Sequence, residues 1–220
     1  MSLVIHPRTL PPLDATVFDA WRDVPTAIVS DELNRFGTIG HGIAPVRPDA
    51  AFVGEALTVR VKAGDNAALH YAAAEIWPGA ALICDAGGYV ETAVWGGILH
   101  GAATKRGAVG VVIDGAIRDV AELRRSPLPA YARGVVPQGP HKGWGGEVNG
   151  PIQCGGCPVM PGDLVIGDAD GVVVVPRAAI DGLLAKCRAR MAMEAAVEAG
   201  IDEGKTTLEL LKFPKASEFK

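Results

Sequence analysis

The stretch 108-AVGVVIDGAIRDVAEL-123 decides how this chain reads. It opens on an apolar, β-branched run, Val109 to Ile113, that reads as a buried strand. Asp114-Gly115 breaks the run, and Ala116 to Leu123 then reads as the first turns of a helix carrying an Arg118-Asp119 pair. Ligands of open α/β sheets bind beyond the carboxyl ends of strands. An acid, a glycine and an Arg-Asp pair at such an end are a natural place for chemistry.

Upstream, Ala80 to Cys84 is a second short apolar strand, closed by Asp85-Ala86-Gly87-Gly88. A helix from Thr92 to Lys105 lies between the two, and Lys105-Arg106-Gly107 suits its C-terminus. Strand, helix, strand in that order is a βαβ unit with a parallel pair. Val53 to Val61 reads as another strand, and Asp65 as the N-cap of a helix ending near Trp77. Residues 1–13 are a Pro-rich, extended arm. Short helices are expected over Asp14 to Trp21 and over Thr26 to Phe36, the second stopped by Gly37.

Beyond Leu123 the texture changes. Ala130 to Val136, Glu147 to Cys154, Val159, Leu164 to Ile166 and Val172 to Val175 read as short strands between Gly- and Pro-rich turns, an antiparallel pattern. A long helix runs from Pro176 to at least Ala199, and a short one covers Thr206 to Leu211. The pattern predicts an α/β fold: a helix layer on a mixed sheet, with a second β layer from residues 130–175.

With 220 residues, 49% of them hydrophobic, the chain can bury a full core without covalent staples. A net charge of −4 argues against binding nucleic acid by phosphate neutralisation. No run approaches the ~18 apolar residues of a membrane helix, and the N-terminus lacks the apolar core of a secretory signal. Four cysteines fit a reduced protein rather than a disulfide scaffold, so the expected location is cytoplasmic and no membrane partner is expected.

Several residue groups could carry chemistry. Arg118 can grip a carboxylate through two parallel hydrogen bonds, and Asp119 beside it can hold a hard cation. Spacing alone equally allows a solvated first helical turn with a weak surface pair. Gly96-Gly97-Ile98-Leu99, near a helix start, would let an anion approach backbone amides, or could mark a close packing contact. Glu194 falls on the apolar stripe of the long helix, after Ile180, Leu183, Leu184, Cys187 and Met191. It faces a site or subunit interface there, unless the stripe ends at Met191. His70 reads as a satisfied core or capping histidine, and His41, His100 and His141 lack metal-ligand spacing. Cys154-Gly155-Gly156-Cys157 reads as a two-residue hairpin rather than a redox or zinc motif. Dinucleotide, Walker and serine-hydrolase motifs are absent, and no lysine sits in the apolar setting of a Schiff-base residue.

The segments WGGIL (95–99), RGAVGVVIDGAIRDVAEL (106–123), ARGVVPQGP (132–140) and PGDLVIGDADGVVVVP (161–176), in this order and spacing, resemble the RraA-like family. That family includes the class II 4-hydroxy-4-methyl-2-oxoglutarate / 4-carboxy-4-hydroxy-2-oxoadipate aldolases. The resemblance implies a three-layer, swivelling β/β/α-type fold over residues 26–200, with 1–25 an arm and first helix and 201–220 a terminal helix and tail. It also implies trimers or hexamers. The implied activity is Mg²⁺- or Mn²⁺-dependent cleavage of 4-hydroxy-2-oxo acids to pyruvate, with oxaloacetate decarboxylation. Carried over by position, Arg118 binds the pyruvyl carboxylate or keto oxygen and Asp119 holds the metal. The amides of Gly96, Gly97, Ile98 and Leu99 receive the carboxylate, and Glu194 arrives from a neighbouring subunit. Two alternatives stay open: a protein-binding regulator of ribonuclease E, and a lyase of this fold with another oxo-acid substrate. One departure bears on the chemistry. Family aldolases often carry an acid where this chain has Gly97, and Ala80 replaces a usual P-G-D before its strand.

Overall fold

The computed structural model describes residues 2–218. The elements, in chain order, are β1 (Leu3–Ile5), α1 (Ala15–Trp21), α2 (Thr26–Glu32), β2 (Ala44–Pro45), β3 (Phe52–Val61), α3 (Ala67–Glu75), β4 (Ala80–Asp85) and β5 (Ala93–Trp95). Then follow α4 (Gly97–Lys105), β6 (Gly110–Ile117), α5 (Val120–Leu123), β7 (Ala130–Val135), β8 (Gly146–Val148), β9 (Ile152–Cys154) and β10 (Cys157–Val159). The chain closes with β11 (Leu164–Asp168), β12 (Gly171–Val175), α6 (Ile180–Asp202) and α7 (Thr207–Leu210).

Four parallel strands form the centre. Leu57 of β3 sits beside Leu82 of β4, Leu82 beside Val111 of β6, and Val111 beside Ala130 of β7. α3, α4 and α5 are the three crossovers between them, so the single βαβ unit legible in the sequence is one of three in succession. Antiparallel strands complete the sheet: β8 and β11 pair with β3, β12 with β11, and β2 with β7. β1 lies parallel on β8, so the extended arm joins the sheet edge.

Side-chain alternation divides the core. Leu57, Val59, Leu82, Cys84, Val111 and Ile113 pack with Leu69 and Ala72 of α3 and Leu99 and Ala103 of α4. The intervening Ala56, Ala81, Ile83 and Val112 point the other way, onto the β9–β10 hairpin through Ile152, Cys154 and Cys157. A third cluster joins β11 and β12 to α1, α2 and α6 through Trp21, Ile28, Val29, Ile166, Val173, Leu183 and Cys187. The architecture is the expected α/β one, a mixed sheet with C-terminal helices. No helix among the described residues is long and apolar enough to cross a membrane.

Local departures have physical causes. β6 does not break at Asp114-Gly115 but runs on to Ile117, and α5 starts only at Val120. The Asp114 carboxylate, which would otherwise be a buried unpaired charge, accepts from Arg133 Nε at 2.5 Å and from the Gly155 amide at 2.7 Å. Residues 93–95, expected as helix, pair with the end of β6, and α4 begins at Gly97. α2 stops at Glu32 because Asn34 and Arg35 turn left-handed, with φ of 55° and 66°. The strand expected over Glu147 to Cys154 is two strands, separated at Asn149, whose φ is 59°. β7 is parallel to β6, against the antiparallel expectation, since α5 carries the chain back across the sheet. The Cys-Gly-Gly-Cys hairpin is as read: Cys154 and Cys157 are register partners, Gly155 and Gly156 both have positive φ, and all four cysteines are buried and free.

Candidate functional site

β4 ends at Asp85, opposite Asp114 of β6. β6 continues past it beside β5, and the sheet opens a cleft at this end. Arg118 and Asp119 follow the last residue of β6 directly, with the Arg118 amide tied to the Trp95 carbonyl at 2.9 Å. Gly96 and Gly97 follow β5. These three strands therefore deliver the Arg-Asp pair and the glycine loop to one place.

Asp119 has a left-handed backbone, φ 60°. That conformation costs most L-residues about 1–2 kcal/mol, and Asp and Asn tolerate it best. It turns the carboxylate back so that Oδ2 accepts the Gly97 amide at 2.9 Å, at the N-terminus of α4. Arg118 Nε lies 3.7 Å from the same oxygen, and both side chains are about 40% exposed, at 40% and 43%. The pair is thus a surface ion pair in part, worth little by itself, but it is anchored on a helix terminus. Gly96 is required by proximity: a Cβ there would stand 2.7 Å from Asp119 Oδ2 and 3.0 Å from Arg118 Cγ. The Arg118 guanidinium also rests against Gly139, where a Cβ would approach Nη1 to 2.7 Å.

The cleft is lined by Asn66, His70, Trp95, Gly96, Ile98, Leu99, Arg118, Asp119, Pro140 and Lys142. Among these, His70, Lys142, Pro140 and Asn66 were not legible as site residues. His70 is exposed on the outer face of α3 and lines the cleft, so it is neither core nor cap. Partial desolvation of the ring, and behind it the Lys142 charge, lower its pKa. Lys142 and Pro140 come from the 136–145 loop, which Asp65 fixes by accepting the Gly143 and Trp144 amides at 2.7 and 3.0 Å. Asp65 also accepts the Ala67 amide, but the N-cap of α3 is Asn66, one residue beyond the cap expected from the sequence. Asn66 is buried; its Nδ2 donates to the Val94 carbonyl, and its Oδ1 has no partner among the described residues. An unpaired acceptor beside a cleft awaits a donor.

The electrostatics favour an anion. Arg118 and Lys142 are cationic, and α4 points its N-terminus at the cleft with the Ile98 and Leu99 amides lacking an acceptor among the described residues. Among the described residues that line the cleft, Asp119 is the carboxylate that could anchor a cation. No group of three or more His, Cys, Asp or Glu is gathered among the described residues, so the donor set does not suit zinc. A carboxylate completed by water does suit Mg²⁺ or Mn²⁺. Glu194 does not join this cleft within its own chain. It lies on α6 in an ion pair with Arg190 at 2.8 Å, and Arg190 also reaches Asp31.

The chain matches the family model described as RraA-like, Aldolase/RraA, over residues 26–174. A Halalkalibacterium halodurans protein named "Putative 4-hydroxy-4-methyl-2-oxoglutarate aldolase" is 37% identical over 183 residues, covering 83% of this chain and 87% of that one. Among solved structures, an uncharacterized protein from Pseudomonas syringae pv. tomato superposes with a TM-score of 0.80 at 28% identity, covering 91% of this chain and 99% of that one. The RNA-processing inhibitor RraA from Thermus thermophilis superposes with a TM-score of 0.65 at 32% identity, covering 70% and 93%. By the family match, the relative and the shared fold together, this chain belongs to the RraA-like family.

Proposed function

We propose that the chain is a divalent-metal-dependent aldolase and decarboxylase that cleaves small 4-hydroxy-2-oxo acids to pyruvate and decarboxylates oxaloacetate. The observation that carries this reading is the convergence of Arg118, Asp119 and the free Ile98 and Leu99 amides on one cleft. Asp119 would hold Mg²⁺ or Mn²⁺. When bound, the ion supplies Lewis-acid stabilisation of negative charge developing on the 2-oxo group.

The chain's own groups account for the rest. The α4 amides and helix dipole bind the substrate carboxylate and fix the plane of the oxo acid. Arg118 places its guanidinium where enolate charge develops, an interaction stronger in the transition state than in the ground state. Asn66 Oδ1 accepts a hydroxyl donated by the substrate or by an ordered water. His70 and Lys142 line the same cleft, where a second carboxylate of the substrate would lie. No lysine is needed as a covalent catalyst, which is consistent with the exposure of Lys142.

The reading includes a homotrimer or homohexamer. Ile98, beside the cleft, is 83% exposed, more than a large apolar side chain at a ligand site warrants. On this reading a neighbouring copy covers Ile98 and supplies its Glu194 to the site. Pyruvate release from 4-hydroxy-4-methyl-2-oxoglutarate, followed with lactate dehydrogenase, tests the activity; trapping of a covalent adduct by borohydride would contradict the metal route.

A further inference from the structure

Asn66 stands at the N-cap of α3 and does not cap it: its side chain makes no cap bond. Asp65, one residue earlier, accepts the Ala67 amide instead. The Asn66 side chain turns inward, where Nδ2 donates to the Val94 carbonyl of β5 at 3.1 Å. That bond fixes which way the amide faces, because a flipped amide would set oxygen against oxygen. Oδ1 is thereby the free end. It has no partner among the described residues, in a residue only 5% exposed. A buried acceptor left so is destabilising until a donor reaches it.

β5 relates this acceptor to Arg118. Successive carbonyls of a strand point to opposite edges. The Trp95 carbonyl holds the Arg118 amide at 2.9 Å, and the Val94 carbonyl holds Asn66 on the other side. Arg118 and Asn66 therefore flank β5, about two strand spacings or roughly 10 Å apart. Both line the one cleft, and so does Gly96, the residue that follows β5. A four-carbon chain on the order of 4 Å long, with a hydrogen bond of about 3 Å at each end, spans that distance. With the oxo-acid end at Arg118 and the α4 amides, the carbon that meets Asn66 is C4. The cleft as it stands has a volume of about 50 Å³, room for one or two waters. His70 and Lys142 on its rim are exposed side chains that yield to a larger guest, and the same movement uncovers Oδ1.

We infer that Asn66 is the specificity-determining residue of the cleft: its Oδ1 accepts the 4-hydroxyl of the substrate and so separates 4-hydroxy-2-oxo acids from 2-oxo acids that lack it, oxaloacetate among them. The inference rests on the proposed oxo-acid reading of the cleft. In both reactions the C3–C4 bond breaks, its electron pair passes to the fragment that becomes the enolate of pyruvate, and C3 then takes a proton. The C4 halves differ. In the hydroxy acid the O–H proton leaves to water and C4 becomes a carbonyl. Asn66 orients that O–H and takes no proton itself, an amide oxygen being too weak a base. In oxaloacetate C4 leaves as carbon dioxide and offers no hydroxyl, so Oδ1 stays unpaired.

The test is kcat/KM for pyruvate release from 4-hydroxy-4-methyl-2-oxoglutarate and from oxaloacetate, with Mg²⁺, in the parent, Asn66→Ala and Asn66→Leu, with thermal melts alongside. Loss of one partner of a buried hydrogen bond is felt about 10–100-fold. The ratio of the two kcat/KM values, hydroxy acid over oxaloacetate, is expected to fall at least about tenfold in both variants. The leucine variant, close to asparagine in shape, supplies the reading where the alanine variant fails to fold. A bond to Val94 that served the scaffold alone would weaken both reactions alike, so an unchanged ratio overturns the inference. If the parent releases no pyruvate from the hydroxy acid, that ligand survives, and calorimetry compares 4-hydroxy-2-oxoglutarate with 2-oxoglutarate, which differ only in the hydroxyl. A preference for the hydroxylated acid that disappears in Asn66→Leu would then refute the aldolase reading and leave this inference standing. Equal affinity for the two acids, or binding of neither, overturns it.

Discussion

Asp119 carries three separable contributions, and two substitutions resolve them. Its left-handed backbone suits Asp and Asn and penalises alanine, by about 1 kcal/mol. Its Oδ2 accepts the Gly97 amide at the start of α4 at 2.9 Å, a cap-like bond worth about 1 kcal/mol. Its charge is the anchor for a divalent ion. Asp119→Asn keeps the first two contributions and removes the third; Asp119→Ala removes all three. The expected stability loss is therefore about 2 kcal/mol for Asp119→Ala and under about 0.5 kcal/mol for Asp119→Asn. For a chain of this size that is a Tm lower by about 4–8 °C for the alanine variant alone. Turnover behaves differently. Losing the anionic anchor of a Lewis acid worth several kcal/mol lowers pyruvate release at least about 100-fold in both variants. Thermal melts and the coupled assay on the same preparations give both readouts. An Asp119→Asn protein that turns over like the parent refutes the charge role, and an alanine variant as stable as the asparagine one refutes the strain and cap reasoning.

Two further outcomes concern the scaffold. Leu82 is fully buried in the central strand β4, so Leu82→Ala lowers the unfolding free energy by about 2–5 kcal/mol in urea titration; a loss below 1 kcal/mol would mean the α3–α4 side of the sheet is loosely packed. His100 is buried behind Trp95, and burial pushes its pKa down from 6.5 to about 4. Between those two values the unfolded chain binds a proton that the folded chain does not, so stability falls as pH drops from 6.5 toward 4, by about 3 kcal/mol from this residue. Chemical denaturation against pH should show that slope flattened in His100→Asn, and an equal slope in both proteins would contradict the assignment.

The parallel core was legible because its cause is local. Runs such as Ala80 to Cys84 and Val109 to Ile113 are bounded by glycines and acids, and the intervening helix announces its end with Lys105-Arg106-Gly107. Boundaries failed where tertiary partners overrode local chemistry. Asp114-Gly115 looks like a strand end, yet Arg133 and the hairpin amide of Gly155 neutralise the acid and let β6 run on. Thr92 to Trp95 carries no strand signal that outweighs the following helix; pairing with β6 decides it. The same limit applies to the site. Arg118, Asp119 and the glycine loop lie at element ends and could be named, whereas Asn66, His70 and Lys142 are brought in by α3 and by a loop that Asp65 pins. A histidine on a polar helix face and a lysine in a loop carry no spacing signal.

The central claim is that Arg118 and Asp119, with a divalent ion, cleave a 4-hydroxy-2-oxo acid. Its most direct measurement is the initial rate of pyruvate release from 4-hydroxy-4-methyl-2-oxoglutarate and from oxaloacetate, with Mg²⁺ and then with excess chelator, for the parent chain and Arg118→Ala. The account predicts turnover with Mg²⁺, its loss on chelation, its return when the metal is restored, and none above background in Arg118→Ala. Turnover that persists in chelator, or an Arg118→Ala rate equal to the parent's with the fold intact, would contradict it.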